Sequence, residues 1–172
     1  MLQKCSYLKV MEIFFIEPTA IHFVREISKR INLAPTSVKN HIKNLLKDRL
    51  IIKKESHPFD GFIANRENEK FLFYKRLYNF YTLDSLKKEL VEILHPSAII
   101  LFGSYLFGED IEDSDIDILI LSKKREEISL ERFEKMLRRR INLLIIDNLN
   151  KLDKNIQKKA INGFVLYGEI DG

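Results

Sequence analysis

The feature that most constrains this chain is a pair of aspartates placed between two apolar runs. Asp115 and Asp117 alternate with Ile116 and Ile118 in DIDILIL, and Gly103–Ser104 stands ten residues upstream at the end of AIILF. Ala98 to Phe102, bounded by Pro96 and Gly103, reads as a buried strand, and the run that carries the aspartates reads as a second one. Side chains on a strand alternate between faces, so Asp115 and Asp117 project on one side while Ile116, Ile118 and Ile120 point into the core. Two neighbouring carboxylates repel one another unless a cation lies between them, an arrangement suited to Mg²⁺. A glycine–serine turn at a strand end offers backbone N–H groups and a hydroxyl to phosphate oxygens, and Gly103 has no Cβ to block a close approach. Together these residues describe a site for a metal-bound nucleoside triphosphate.

The remaining composition fits such a reading. At 172 residues, with 45% hydrophobic and 31% charged side chains, the chain can bury a core and form one ordinary domain or two small ones. No run approaches the roughly 18 apolar residues of a membrane span, and MLQKCSYLKV lacks the apolar centre of a signal peptide, so a cytoplasmic protein with no membrane partner is expected. Cys5, the single cysteine, is expected to be a half-buried small apolar residue. Charge divides the chain: residues 1–80 hold 15 Lys or Arg against 8 Asp or Glu, and residues 81–172 hold 14 against 17. A basic first half suits a polyanion, and an acidic second half suits a divalent-metal site.

The first half reads as helices. Leu8, Met11, Ile13, Phe14 and Phe15 recur at roughly helical spacing up to Pro18. Thr19 offers an N-cap for AIHFVREISKRI, with the stripe Ile21, Val24, Ile27 and Ile31. Pro35 then opens a third helix whose core face is Val38, Ile42, Leu45, Leu46 and Leu50. Thr36, Ser37, Lys39, Asn40, His41, Lys43, Asn44 and Lys47 remain on its outer face, the chemistry of a major-groove recognition helix. His41 and His57 have no second histidine at metal-ligand spacing and read as surface residues. Beyond them, IIKKES, HPFDG and FIAN suggest strand, turn and strand, with Lys53 and Lys54 available to phosphates. This pattern resembles the winged helix-turn-helix family, although Arg49 stands where that family usually places a glycine. The same fold could serve dimerisation or protein contact instead of DNA.

From Asn68 to Leu94 the sequence reads as one helix, with Phe71, Leu72, Leu77, Phe80, Leu83, Leu86 and Leu90 apolar. Its six aromatics between Phe71 and Tyr81 exceed what one helix face can bury, so part of it is expected to pack between domains or against a second subunit.

Gly-Ser, ten residues and Asp-x-Asp are similar to the signature of the polymerase-β-like nucleotidyltransferase superfamily, and GSYLFG with SDIDILI resembles its minimal nucleotidyltransferase branch. The resemblance covers roughly residues 85–172. It implies that Gly103 and Ser104 bind the triphosphate and that Asp115 and Asp117 hold Mg²⁺, with ATP or another nucleoside triphosphate as substrate. A charged helix over 126–139, a strand INLLII, a polar helix from Leu152 to Ala160 and the closing GFVLYGE fit the same pattern. Active relatives carry a third carboxylate in the strand after the charged helix, whereas this chain reads Ile141, Asn142, Leu143. An amide can coordinate weakly through oxygen but cannot act as a base. Asp147, five residues on, falls on the opposite strand face and is no substitute. Phe107 stands where many relatives carry arginine before the glycine.

The expected architecture is therefore α+β. It comprises a winged helix-turn-helix over residues 1–66, a linker helix over 67–95 and a nucleotidyltransferase domain, a mixed sheet with helices, over 96–172. The candidate catalytic set is Asp115, Asp117 and Asn142. Two functions stay open. One is transfer of a nucleoside monophosphate, AMP first, to an acceptor hydroxyl, which the resemblance places on a partner toxin of the HEPN type. The other is a weak or inactive transferase fold that serves as sensor or dimerisation domain of a DNA-binding regulator, for which a homodimer is expected.

Overall fold

The computed structural model describes residues 5–169. The chain is α+β, and it divides into two compact units, Met1–Lys75 and Arg76–Gly172, a division that falls inside the segment read as a linker. The last three residues of the expected 96–172 domain lie outside the described residues.

The first unit opens with α1 (Ser6–Ile16), which buries Val10, Met11, Ile13, Phe14 and Phe15 and stops before Pro18. Cys5, immediately before it, is exposed rather than half-buried. The second helix, α2 (Val24–Ile31), starts four residues later than Thr19 and Ala20 suggest, and Thr19 does not cap it. The reason is tertiary: His22 pairs with Phe62 in an isolated antiparallel bridge, with N–H to carbonyl distances of 2.8 Å in both directions. Extended backbone at His22 excludes helix there. Glu26 instead reaches back to the Phe23 N–H at 3.2 Å, half of a capping box. Of the expected stripe only Ile27 is fully buried, and Ile21 is exposed.

Helix α3 (Pro35–Lys47) begins at its proline and buries Val38, Ile42 and Leu45. A hairpin of β1 (Ile51–Lys54) and β2 (Gly61–Ala64) follows, antiparallel, with Ile51 opposite Ala64. Between α3 and β1, Arg49 adopts a left-handed conformation at φ 56°. Its N–H bonds the Leu46 carbonyl and the next N–H, of Leu50, bonds that of Leu45, the two bonds of a Schellman motif. Arginine thus occupies the position where glycine ends such a helix without strain. The Arg49 carbonyl is held from outside by the side-chain amides of Asn65 (2.9 Å) and Asn68 (3.0 Å).

The segment expected to be one linker helix is two. Helix α4 (Glu69–Thr82) ends where the Thr82 hydroxyl bonds the Asn79 carbonyl at 2.9 Å, a side-chain bond that competes with helix continuation. After the fully buried Leu83, α5 (Asp84–Leu94) restarts with Asp84 in its first turn, ion-paired to Lys87 and Lys88.

The second unit is built on a four-stranded mixed sheet in the order β5-β4-β3-β6. Its strands are β3 (Ala98–Phe102), β4 (Ile116–Leu121), β5 (Ile141–Ile146) and β6 (Phe164–Gly168), with β4 and β5 parallel and the other pairs antiparallel. Both faces are covered, which is why β3 is buried at all five positions. Ile99, Leu101, Ile116, Ile118 and Ile120 pack with Leu86, Leu90 and Leu94 of α5 and with Phe133 and Leu137 of α7 (Glu131–Leu137). Ala98, Ile100, Phe102, Leu119, Leu121 and Ile146 pack on the other face with Ala160 of α8 (Lys154–Ile161). Two expected helices are shorter than read. In the 126–139 segment only 131–137 is helical: Ile128 and Leu130 reach the core from irregular chain, and Arg138 turns left-handed at φ 53°. The polar helix begins at Lys154, capped by Asp153, whose carboxylate accepts the Asn155 N–H at 2.8 Å. No helix among the described residues is long and apolar enough to cross a membrane.

Arg49→Gly should stabilise the first unit. It removes left-handed strain of about 1 kcal/mol but loosens the unfolded chain, leaving a net gain of roughly 0.5 kcal/mol. A rise in the thermal midpoint is the expected outcome, and a fall would mean that the arginine side chain contributes more than its backbone conformation costs.

Candidate active site

The carboxylate, the turn and the amide meet because the sheet register puts them side by side. Phe102, the last residue of β3, is the register partner of Asp117, and Asp117 is the register partner of Asn142. Gly103 follows at once with φ 79° and ψ −168°, a region open essentially only to glycine. A Cβ built on it would lie 2.5 Å from Asp117 Oδ2, so glycine is required by the carboxylate as well as by the backbone. Ser104 opens the single turn α6 (Ser104–Phe107). The side-chain amide of Asn142 donates to Asp117 Oδ1 at 3.1 Å. Asp117 is therefore touched on one oxygen by a donor and approached on the other by the glycine turn. Asp115 is exposed one residue before β4, where the Ile116 N–H bonds the Arg140 carbonyl at 2.8 Å.

The loop from Ser104 to Asp115 is fastened from beneath. Asn79 of α4, fully buried, donates through its amide to the Tyr105 carbonyl (2.8 Å) and to Asp110 Oδ1 (2.9 Å). Arg139 meets Asp110 Oδ2 at 3.4 Å in an ion pair whose two side chains are almost wholly removed from water. Such a pair contributes little net stability but is destructive to break singly, because the survivor is a buried uncompensated charge. The Tyr105 hydroxyl lies 3.0 Å from that of Thr82, and burial pushes its pKa well above the ordinary phenol value. These contacts leave the loop between turn and aspartates few alternative positions.

Beside the turn lies a cleft of about 400 Å³, lined by residues that include Phe102, Gly103, Ser104, Phe107, Lys158, Lys159 and Asn162. Two of them, Lys158 and Lys159, were not legible as site residues in the sequence. They sit in the last turn of α8, which packs on the face of the sheet that carries Phe102. Directly opposed residues of an antiparallel pair share a face, so Asp117 projects to this same side. Gly163 lets α8 come so close: a Cβ there would fall 2.6 Å from Ile100 Cγ2 and 2.7 Å from the Leu101 carbonyl.

Asp147, read from the sequence as no substitute for the third carboxylate, is placed away from the turn. It lies just past the far end of β5 and pairs with Lys151 at 2.7 Å, which holds its carboxyl below the usual range. Among the described residues no group of three or more His, Cys, Asp or Glu side chains is placed to hold a metal ion. Two carboxylates and an amide are what the chain offers, a hard-oxygen set that suits Mg²⁺ in chemistry though it is one charge short of three acids. On α3, Thr36, Lys39, Asn40, Lys43, Asn44 and Lys47 are exposed and Ser37 is half-buried. His41 is turned away from that face: its Nε2 lies 2.9 Å from Ser6 Oγ and its ring meets Tyr7 edge-on. Lys54 is exposed, while Lys53 is paired with Asp60 at 2.6 Å.

Residues 83–165 match the family model described as nucleotidyltransferase domain. The match spans β3, the Gly103–Ser104 turn, the two aspartates and β5, and it is consistent with the polymerase-β-like superfamily. Residues 83–165 are thus similar to nucleotidyltransferase domains, a likeness that supports nucleotidyl transfer as a class of chemistry. No curated protein matches the chain.

Gly103→Ala should disturb turn and carboxylate together. Forcing a Cβ into this backbone region costs about 1–3 kcal/mol. Chemical denaturation should show a loss of that size, and Mg²⁺-dependent nucleotide binding should disappear with it. Unchanged values for both would mean that the turn relaxes freely.

Proposed function

We propose that the second unit binds a Mg²⁺–nucleoside triphosphate and transfers the nucleoside monophosphate, AMP from ATP in the first instance, to an acceptor hydroxyl. The observation that carries this reading is Asp117 set directly against the Gly103 turn, with Asp115 two residues before it. A domain with only a structural task has no need for a carboxylate packed against a glycine in a strained turn. Gly103 and Ser104 would receive phosphate oxygens through backbone N–H and hydroxyl, and Asp115 and Asp117 would hold the cation. Mg²⁺, when bound, neutralises triphosphate charge and polarises the α-phosphorus. In the transfer the acceptor oxygen bonds to the α-phosphorus, the bond to the bridging oxygen breaks, pyrophosphate leaves and the hydroxyl proton passes to water. Asn142 cannot take that proton, and loss of a general base commonly lowers a rate by about 10²–10⁴. The resemblance to the minimal branch makes a HEPN-type partner protein the first acceptor to offer.

Transfer of label from α-³²P-ATP in the presence of host lysate tests this. The native chain should label an acceptor slowly, Asp115→Ala/Asp117→Ala should abolish labelling, and Asn142→Asp should accelerate it by about 10²-fold or more. Labelling that survives the double alanine variant would remove the aspartates from the chemistry. If only Asn142→Asp transfers label, the native domain is a nucleotide sensor, the second reading, which the Asn142–Asp117 hydrogen bond specifically favours.

The first unit fits a DNA-binding role in that same protein. Its helices α2 and α3 followed by a two-stranded hairpin have the order of a winged helix-turn-helix, and α3 presents Lys39, Asn40, Lys43, Asn44 and Lys47 to solvent. Lys43→Ala/Lys47→Ala should weaken binding to duplex DNA and reduce the slope of log K against log salt by about 2. A slope left unchanged would move the α3 face to protein contact.

A further inference from the structure

On the proposed reading the turn receives phosphate oxygens and the aspartates hold the cation, but a triphosphate carries more negative charge than one Mg²⁺ offsets, and the excess needs positive partners. We infer that Lys158 and Lys159 of α8 form the subsite for the β- and γ-phosphates, across the cleft from Gly103 and Ser104. This rests on the nucleotide reading of the site and assigns the substrate's charged tail to particular side chains.

Three observations carry it. First, both lysines line the same cleft as Gly103 and Ser104, and its roughly 400 Å³ exceeds the volume of a triphosphate. Second, α8 lies on the sheet face to which Asp117 projects, so the lysines stand on the same side of the sheet as that carboxylate, next to the Gly103 turn it touches. Third, these ammonium groups are available: among the described residues neither is ion-paired, whereas the neighbouring Lys151 is occupied by Asp147 at 2.7 Å. Two compact, strongly hydrated charges on flexible stems suit a polyphosphate, which offers oxygens in several directions and asks for charge rather than a fixed fork. Their footing is fixed at the helix end. The Asn162 side-chain amide donates to the Lys158 carbonyl at 2.9 Å, the Gly163 N–H donates to the Ala160 carbonyl at 2.9 Å, and Gly163 presses this turn against β3. Phe107, exposed at the same cleft, brings no charge and Glu109 brings a negative one, so the positive lining identified there is that of α8.

The subsite makes a graded prediction. Affinity of the full chain for ATP, ADP and AMP in Mg²⁺, measured calorimetrically, should fall in that order. Lys158→Gln/Lys159→Gln should lower ATP affinity by about 10–100-fold while leaving AMP affinity within about twofold, since each lost charge-assisted contact is worth roughly a factor of ten. Lys158→Arg/Lys159→Arg should retain most of the ATP affinity, which separates lost charge from a disturbed helix. If the glutamine variant binds ATP like the native chain, the lysine subsite is wrong and the nucleotide reading stands. Equal losses for ATP and AMP would make the lysines structural and also overturn the subsite. If the native chain binds none of the three nucleotides in Mg²⁺ while remaining folded, the nucleotide reading falls and takes the subsite with it.

Discussion

The second unit depends on one close approach, that of the Asp117 carboxylate to the bare backbone of Gly103. It is possible only because β3 and β4 run antiparallel in a register that sets Phe102 opposite Asp117, so the residue after the strand end curls beside the carboxylate. The parallel pairing of β4 with β5 then brings Asn142 to the other side of Asp117. A shift of one residue in either register would send Asp117 into the apolar face occupied by Ile116 and Ile118. The burial that fixes the register, with β3 covered on both faces, is therefore what fixes the site. Beneath it, Asn79, Asp110 and Arg139 restrain the loop so that the turn and Asp115 keep their places relative to the strand.

The exchange of a carboxylate for Asn142 changes the electrostatics more than the shape. An amide donates to Asp117 and adds no negative charge, so on the proposed reading the cation would meet one charge fewer and the acceptor proton would have no resident base. The cleft beside the turn is lined by Lys158, Lys159 and Glu109 without an arginine, and Phe107 contributes an apolar surface. On the proposed reading, such a balance would favour holding a nucleotide over turning it over quickly.

What the sequence made legible was local. The Gly-Ser turn, the apolar strand that carries Asp117 with Asp115 just before it, and the amide at position 142 all follow from short motifs with a fixed chemical meaning. The Pro35 start of α3 and the wing-like hairpin did too. What escaped depends on distant pairing. Thr19 has the chemistry of a cap, but the bridge between His22 and Phe62 delays the helix, and no window around residue 19 contains that partner. The helix over 69–94 has continuous apolar spacing, yet the Thr82 hydroxyl and the buried Leu83 divide it. His41 carries the periodicity of an outer face, while Ser6 and Tyr7 draw it inward. Lys158 and Lys159 sit more than forty residues beyond the aspartates in a helix that reads as merely polar, and only the pairing of β6 with β3 brings them to the turn.

The most direct test of the central claim is to ask where a nucleotide-bound cation sits. Titration of the ¹⁵N-labelled chain with substoichiometric Mn²⁺–ATP should broaden backbone amides by proximity to the ion. Broadening centred on Gly103, Ser104 and Asp115 to Asp117, and extending to Asn142, is the predicted result. Broadening centred elsewhere, or none at concentrations that saturate binding, would contradict the assignment of this turn and these aspartates as a nucleotide site.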